Sequence, residues 1–332
     1  MSRELVFLKM AVLRLLKEHR PGYVSGEELC KGLEVTRTAV WKHIQSLRGD
    51  GYDIEARPRA GYLLVGIPDR LYPEEIQDGL TTKFIGRQVF YNNSLASTND
   101  LAKELASRET QISDGTIVVA EEQTGGRGRL GREWFSPKYR AICFSLILYP
   151  PVSPSEVSRV TMVTAVALAA AIRNETGVPV GIKWPNDLLV GGKKLCGILT
   201  ELGAEIDKVN YLVVGAGVNV NQGPGDFPEE VRDIATSLKI ETGVTVNRVK
   251  LLQAMLAEFE RWYRVWLEHG FAEVLTKWRE MSVSLHCPVC IHAIDKSWNG
   301  WAEDVDEDGA LMIRLPDGEL QRVVAGDVSL RV

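Results

Sequence analysis

The 332 residues are enough for two or three domains, and the 45% that are hydrophobic can fill their cores. The net charge of −5 excludes a general polyanion binder. It is spread unevenly: residues 1–65 hold 11 Lys/Arg against 8 Asp/Glu, whereas residues 283–332 hold 4 against 9, so affinity for nucleic acid is expected only at the N-terminal end.

The apolar stripe Leu5, Leu8, Val12, Leu15, Leu16 predicts a helix over Met1–His19, ended by Pro21-Gly22. Ser25 with Glu28 three residues on opens a short helix through Leu33. Thr36 caps a third, Arg37–Arg48, with Val40, Ile44 and Leu47 turned inward and Arg37, Thr38, Trp41, Lys42 and Gln45 outward. Gly51–Val65 alternates as two strands around Arg57-Pro58-Arg59-Ala60-Gly61. Helix, short helix, helix and basic hairpin make a winged helix-turn-helix over residues 1–65. Its third helix is expected in the major groove of DNA, with Arg57 and Arg59 of the wing on phosphates. A protein-interaction domain of the same shape stays open. So modest a charge favours binding as a dimer on two half-sites.

Residues 66–73 read as a linker. A short helix follows over Pro73–Leu80, then a strand at Phe90–Asn93. Ser97-Thr98-Asn99 caps the helix Asp100–Arg108; capping needs one such residue, so three together suggest a polar contact beyond the helix. Gly115–Glu121 and Ala141–Leu148 are buried strands, and Pro154–Asn174, alanine-rich and apolar nearly all round, is a central buried helix.

Between these strands lies Gly125-Gly126-Arg127-Gly128-Arg129-Leu130-Gly131-Arg132-Glu133-Trp134-Phe135. Its glycines spell G-x-G-x-x-G, but a dinucleotide-binding turn needs a strand directly before and a helix directly after. Here Trp134–Pro137 stops any helix. Arginine forks, glycine and a terminal aromatic suit either a solvated basic turn or a loop that orders over an anionic, adenine-bearing ligand. A second block, Gly181–Val190 (Gly-Ile-Lys-Trp-Pro-Asn-Asp-Leu-Leu-Val), turns at Gly191-Gly192 into Lys193–Leu202, beside a strand Tyr211–Asn221. Such a meander brings Lys183, Asp187, Lys194 and Asn219 within reach of one sheet face. Lys193-Lys194 could equally be an exposed turn, and Gly197 a strand bulge. Thr245–His269 and Phe271–Met281 are amphipathic helices, and from Val283 short strands alternate with turns expected at Asn299-Gly300, Asp308-Gly309 and Asp317-Gly318. His286-Cys287-Pro288-Val289-Cys290-Ile291-His292 resembles a metal motif, but strand residues alternate faces and no second pair follows, so no zinc is expected.

Ser-Thr-Asn at 97–99, Gly-Arg-Gly-Arg-x-Gly-Arg at 126–132, Lys-Trp-Pro-Asn-Asp at 183–187, Lys-Leu-Cys-Gly-Ile-Leu at 194–199 and Gly-x-Gly-x-Asn-x-Asn at 215–221 resemble, in order and spacing, the biotin–protein ligases. The N-terminal domain resembles that of the bifunctional members, which also repress biotin genes. The resemblance implies an α+β chain: winged helix-turn-helix, a mixed-sheet ligase domain of the biotin/lipoate type over 74–282, and an SH3-like barrel over 283–332. It further implies that biotin and ATP, with Mg²⁺, form biotinyl-5′-AMP. The biotin then passes to a lysine of a biotin carboxyl carrier protein, such as that of acetyl-CoA carboxylase, and biotinyl-5′-AMP acts as corepressor for a homodimer on operator DNA.

By the same resemblance Lys194 and Arg129 are catalytic. Ser97, Thr98, Asn99, Gln123, Gly126, Arg127, Arg129, Lys194 and Gly197 hold biotin. Arg127, Arg129, Arg132, Trp134, Lys183, Asp187, Lys194 and Asn219 hold the nucleotide, with Mg²⁺ near Asp187. Cys196 reads as packing. Leu130 stands where some members carry a further arginine. Three alternatives remain: a lipoate–protein ligase, a repressor with an inactive ligase domain, and a ligase whose winged helix does not bind DNA. No apolar run reaches the ~18 residues of a membrane span. Arg3, Glu4, Lys9 and Arg14 interrupt any signal peptide, and the five scattered cysteines fit a reducing cytoplasm.

Overall fold

The structure, a computed structural model, describes residues 3–108, 112–205, 208–292, 297–324 and 326–330, which form two compact units, Met1–Asp69 and Arg70–Val332. The first unit contains α1 (Arg3–Glu18), α2 (Gly26–Leu33), α3 (Arg37–Gly49) and the hairpin β1 (Asp53–Arg57) and β2 (Gly61–Gly66). Ser25 Oγ accepts from Glu28 N–H and Thr36 Oγ1 from Ala39 N–H, so both expected caps close their helices. Arg48, at the end of α3, donates from Nε and Nη2 to the carbonyl of Ile54, at 3.0 and 2.6 Å, and so fixes the hairpin to that helix. Tyr62 and Val24 exchange two backbone bonds of 2.9 Å beside Gly61. A Cβ on Gly61 would sit 2.0 Å from the Val24 carbonyl oxygen, and its φ is +107°, so only glycine fits.

The second unit opens with α4 (Pro73–Gln77) and β3 (Val89–Asn92), then α5 (Thr98–Ser107), β4 (Thr116–Ala120) and β5 (Ala141–Leu148). The long helix α6 (Val157–Thr176) follows, then β6 (Gly181–Lys183), β7 (Asp187–Val190), β8 (Lys193–Glu205) and β9 (Lys208–Asn219). Helices α7 (Leu238–Thr242), α8 (Arg248–His269) and α9 (Ala272–Met281) lead to β10 (Cys287–His292), β11 (Ser297–Val305), β12 (Leu311–Arg314), β13 (Leu320–Val323) and β14 (Asp327–Leu330). The central sheet has the order β3-β4-β5-β9-β8-β7-β6; β3 and β4 are parallel and every other pair antiparallel. Helices α6, α8 and α9 cover one face, on a continuous core that takes in Phe144, Val214, Val218 and Ile198. The opposite face carries α5 over a smaller cluster, Val118, Ile147 and Val213 with Ala102. It is this second face, only partly covered, that is open to a ligand.

The last five strands make an antiparallel sheet, β13-β12-β11-β10-β14, the SH3-like part of the chain. Its buried residues Val289, Ile291, Val305, Leu311 and Ile313 belong to the same core as α6 and α8, so it packs as one body with the central sheet. Two sequence expectations are corrected. Asn299-Gly300 is not a turn: both residues lie within β11, where Gly300 is needed because a Cβ would come 2.5 Å from the carbonyl oxygen of Arg314. The connection between β10 and β11 falls at 293–296, outside the described residues. Nor are residues 70–73 all linker, since Leu71 is fully buried in the second unit and donates its N–H to Glu121 Oε1 at 2.8 Å.

Two buried carboxylates hold this unit together. Glu260 accepts from the N–H groups of Lys83, Phe84 and Ile85 and so sets the turn before β3. Glu121 pairs with Arg248 at 2.7 Å, both side chains without solvent exposure, and Arg248 also donates to the carbonyl of Ala141. Removing one partner of such a pair strands a buried charge, at about 3–5 kcal/mol. Arg248→Met should therefore lower unfolding stability in urea by that amount, and the double variant with Glu121→Gln by less than the sum of the two single losses. A loss below about 1 kcal/mol for Arg248→Met would show that the pair does not hold α8 to the sheet.

Candidate active site

The open sheet face is floored by glycine. Gly197 of β8 pairs with Gly217 of β9, and Gly215 stands two residues before it on the same side. A Cβ on Gly217 would lie 2.4 Å from Nε1 of Trp134, and one on Gly215 would lie 2.1 Å from Oδ1 of Asn99. The indole and the carboxamide occupy space that any larger residue would fill. Gly126 meets the same requirement from the loop side, where a Cβ would come 2.5 Å from the Trp134 carbonyl oxygen.

A bulge places the lysine. The pairs Leu188–Cys196 and Leu189–Lys194 leave Leu195 without an opposite residue, so Lys194 and Gly197 share a face while Cys196 points into the core behind. Lys194 Nζ stands 2.7 Å from Asp187 Oδ1, 5.7 Å from the centre of the Trp134 ring and 3.3 Å from where a Cβ on Gly197 would be. Its backbone is clamped by Ile234 and Thr236 through bonds of 2.8 and 2.9 Å. The bulge expected as an alternative at Gly197 therefore lies at Leu195, and Lys194 is not part of an exposed turn. Neither nearby thiol is suited to attack. Burial pushes Cys143 up to about 11 and Cys196 further.

One end of this face is a network of uncharged polar side chains backed by an ion pair. Gln123 Oε1 accepts from the N–H and hydroxyl of Thr98 at 2.8 and 3.0 Å. Ser145 Oγ lies 2.7 Å from Thr98 Oγ1 and 2.6 Å from Asn99 Oδ1. Asn99 Nδ2 donates to Glu201 at 2.7 Å, and Lys103 pairs with the other oxygen of Glu201 at 2.6 Å. Ser97 remains the helix cap, its Oγ accepting from Asp100 N–H. The cluster at 97–99 thus does reach beyond capping. Lys103 and Glu201 carry no sequence signal for this network, whereas Ser145 stands out as a lone hydroxyl in the run Ala-Ile-Cys-Phe-Ser-Leu-Ile-Leu.

The other end is cationic. The loop folds back on itself, Gly128 N–H to the Arg132 carbonyl at 2.7 Å and Trp134 N–H to that of Gly126 at 2.9 Å. Leu130 stands at its tip, 67% exposed and in the left-handed region at φ 56°. Arg127 pairs with Asp100 at the start of α5. Arg129 donates to Asn186 Oδ1 at 3.2 Å and to the Gly326 carbonyl at 3.3 Å. Arg132, Lys183, Asn186 and Asp187 line a cleft of 190 Å³ with Trp184, Pro185, His292 and Val328. Asn219, expected beside them, is buried on the face of Gly217, where its Oδ1 accepts from Gln222 at 2.9 Å; it does not line the cleft. Neither His292, inside the metal-like motif, nor Asn186, inside the Lys-Trp-Pro-Asn-Asp block, carries a sequence signal for this cleft. Among the described residues no group of three His, Cys, Asp or Glu could hold a metal ion.

In the first unit Arg37, Thr38, Trp41 and Lys42 project from α3 into solvent, Gln45 is half-buried, and Arg57 and Arg59 of the hairpin are exposed. Arg57 lies 5.1 Å over the Tyr23 ring. The inward side of α3 holds His43, which burial, helped by the Lys9 ammonium, keeps below the usual 6.5. All seven expected positions belong to this one small unit.

Comparison with known proteins decides the family. The chain is 37% identical to the bifunctional ligase/repressor BirA of Bacillus subtilis, over 97% of its own length and 98% of the relative's. It belongs to the biotin/lipoate protein ligases. The profile of the biotin/lipoate A/B protein ligase family matches residues 91–219, a helix-turn-helix domain matches 9–63, and the biotin protein ligase C-terminal domain matches 294–331. The Escherichia coli bifunctional ligase/repressor BirA is 30% identical over 92% of this chain and 92% of its own. The biotin protein ligase of Aquifex aeolicus, solved in complex with biotin and ATP, superposes with a TM-score of 0.64 at 30% identity. That match covers 74% of this chain and 99% of the other. The chain thus unites a helix-turn-helix domain with a biotin/lipoate ligase domain, and its fold class is that of the family. Among the described residues no helix is long and apolar enough to cross a membrane.

The floor is open to a direct test. Gly217→Ala should push the Trp134 indole off the sheet without unfolding the chain. Limited proteolysis within 125–135 should then speed up while the melting temperature stays within a few degrees; unchanged cleavage would mean that the indole does not depend on the glycine.

Proposed function

We propose that the chain is a biotin–protein ligase and biotin-responsive repressor of the cytoplasm, with the reaction carried out on the open sheet face. One observation carries the reading: Lys194 stands between that polar network and a cationic cleft, on a glycine floor under Trp134. A biotin carboxylate and an ATP triphosphate repel each other, so a cation must sit where their charges meet. Lys194 fills that position, with Arg129 in support. A carboxylate oxygen of biotin attacks the α-phosphorus, the bond to the bridging oxygen breaks, and pyrophosphate leaves. The neutral ureido ring is then matched by uncharged donors and acceptors, Thr98, Asn99 and Gln123, with Ser97 and the loop backbone at Gly126 and Arg127 alongside.

Arg132, Lys183 and Asp187 serve the phosphate side. Mg²⁺ needs few protein ligands, so the carboxylate of Asp187 would hold it, and the ion would supply neutralisation of phosphate charge. Arg127 and Trp134 serve the nucleoside side, while Asn219, expected on the phosphate side, is buried and held by Gln222. The mixed anhydride that results is prone to hydrolysis, and the Gly-Arg loop with its indole keeps water from it. In the second step the amine of a carrier-protein lysine attacks the carbonyl carbon and AMP leaves, so the enzyme needs no nucleophile of its own. The raised thiols of Cys143 and Cys196 accord with that.

Incorporation of labelled biotin into a purified carrier domain, with ATP and Mg²⁺, tests the ligase. Lys194→Ala should slow adenylate formation by about 10²–10³-fold, the usual loss of one preorganised transition-state donor. Burst formation of adenylate at the wild-type rate would remove Lys194 from this role. The winged unit acts as the regulatory half. Bound biotinyl-5′-AMP orders the ligand loops, favours a homodimer and so raises affinity for operator DNA through Arg37, Thr38, Trp41, Lys42, Gln45, Arg57 and Arg59. Operator affinity should therefore rise at least fivefold when biotin and ATP are both present, within the usual range of such coupling. Equal affinity with and without them would leave the chain a ligase only.

A further inference from the structure

His292 belongs to a motif the proposed reaction does not use, yet it lines the same cleft as Arg132, Lys183 and Asp187. It is the last residue of β10, on the C-terminal sheet, and it is exposed. Its Nδ1 lies 3.0 Å from Ser297 Oγ, which starts the neighbouring strand, and its Nε2 lies 3.3 Å from Cys290 Sγ. A hydroxyl that donates to Nδ1 leaves the proton on Nε2 and fixes the ring plane. The partner then left to Nε2–H is a sulfur, a weak acceptor that a phosphate oxygen readily displaces. With Ser297 as donor the ring is oriented by an ordinary hydrogen bond on one side and weakly engaged on the other, at the wall of a cleft that already holds two cationic side chains.

The ligand loop approaches the same sheet. Arg129 donates to the Gly326 carbonyl, and a Cβ on Gly326 would lie 3.2 Å from the carbonyl oxygen of His292. We propose that His292 is a nucleotide-binding residue whose Nε2–H is donated to the terminal phosphate oxygens of ATP, so that the C-terminal sheet completes the polyphosphate site. Ser297 is its positioning residue. The inference rests on the reading of the cleft as the phosphate side of a ligase; the bicyclic end of the other substrate is not involved.

Cys290 and Ser297 touch the ring from its own sheet, and Arg132, Lys183 and Asp187 line the same cleft from the loop and from β6 and β7. His292→Leu removes the donor and keeps the bulk. His292→Gln keeps an N–H at nearly the same reach. Binding of inorganic triphosphate and of ATP to the full chain, measured by calorimetry, should weaken about tenfold in His292→Leu, the loss of one hydrogen bond to a charged group. It should stay within about threefold of wild type in His292→Gln, and Ser297→Ala should fall between the two. The KM for ATP should rise in parallel, while the KM for biotin and the melting temperature hold.

Unchanged triphosphate binding in His292→Leu overturns the proposal, as does a loss shared equally by biotin and triphosphate. The binding measurement needs no biotin transfer. A chain that binds triphosphate through His292 but labels no carrier would refute the ligase reading and leave this one standing; a ligase indifferent to His292→Leu would do the reverse.

Discussion

The site depends on backbone lying bare where side chains would ordinarily stand. One face of the central sheet is sealed by α6, α8 and α9 with branched and aromatic residues, which fixes the register of every strand, because a slip by one residue would turn that apolar set outward. The opposite face can then afford glycine at 197, 215 and 217. These positions carry no side-chain packing of their own, so their strands are held by the sealed face behind them. The indole of Trp134 and the carboxamide of Asn99 descend to the backbone only because of this division.

Strict alternation would have spoiled the arrangement. Lys194 and Cys196 are two apart and would share a face, placing either the ammonium in the core or the thiol in the site. The unpaired Leu195 breaks the alternation once, and the segment Ile234–Thr236 takes up the backbone groups of Lys194. A bulge costs ladder hydrogen bonds, and here a neighbouring segment replaces them. That is also why Asp187 and Lys194 approach to 2.7 Å: the same register pairs Asp187 with Gly197, one turn of the pleat from the lysine.

How much of this could be read from the residues depended on whether the signal was local. Caps at Ser25, Thr36 and Ser97, the long buried helix and the meander from Gly181 to Asn221 follow from short-range chemistry and appear nearly where expected. The bulge at Leu195 does not. Nothing in Lys-Lys-Leu-Cys-Gly marks it, because it is set by pairing with β7. Asn299-Gly300 misled in the opposite sense. The dipeptide is a strong turn signal, but its glycine is demanded by the close passage of β12. The Arg248–Glu121 pair joins residues 127 positions apart and could not be foreseen; neither could His292, whose place in the cleft depends on the C-terminal sheet folding onto the central one.

Charge gives the last constraint. The chain carries a net −5, yet Arg132 and Lys183 line one cleft with Asp187, Lys194 pairs with that carboxylate, and Arg129 bonds to the adjacent Asn186. Excess negative charge elsewhere costs such a cluster little, since exposed charges farther than about 10 Å away are screened at ordinary salt, whereas the cations of the cleft act at contact distance. Asp187 keeps that cluster from repelling itself. It engages Lys194 at 2.7 Å without burying it, since the lysine side chain remains about a third exposed. The ammonium can therefore exchange partners without first breaking a fully buried ion pair. The contrast is with Arg248 and Glu121, which are wholly dry. Within one unit the same two kinds of charge serve opposite ends, permanence in the core and exchange at the site, and solvent access decides which.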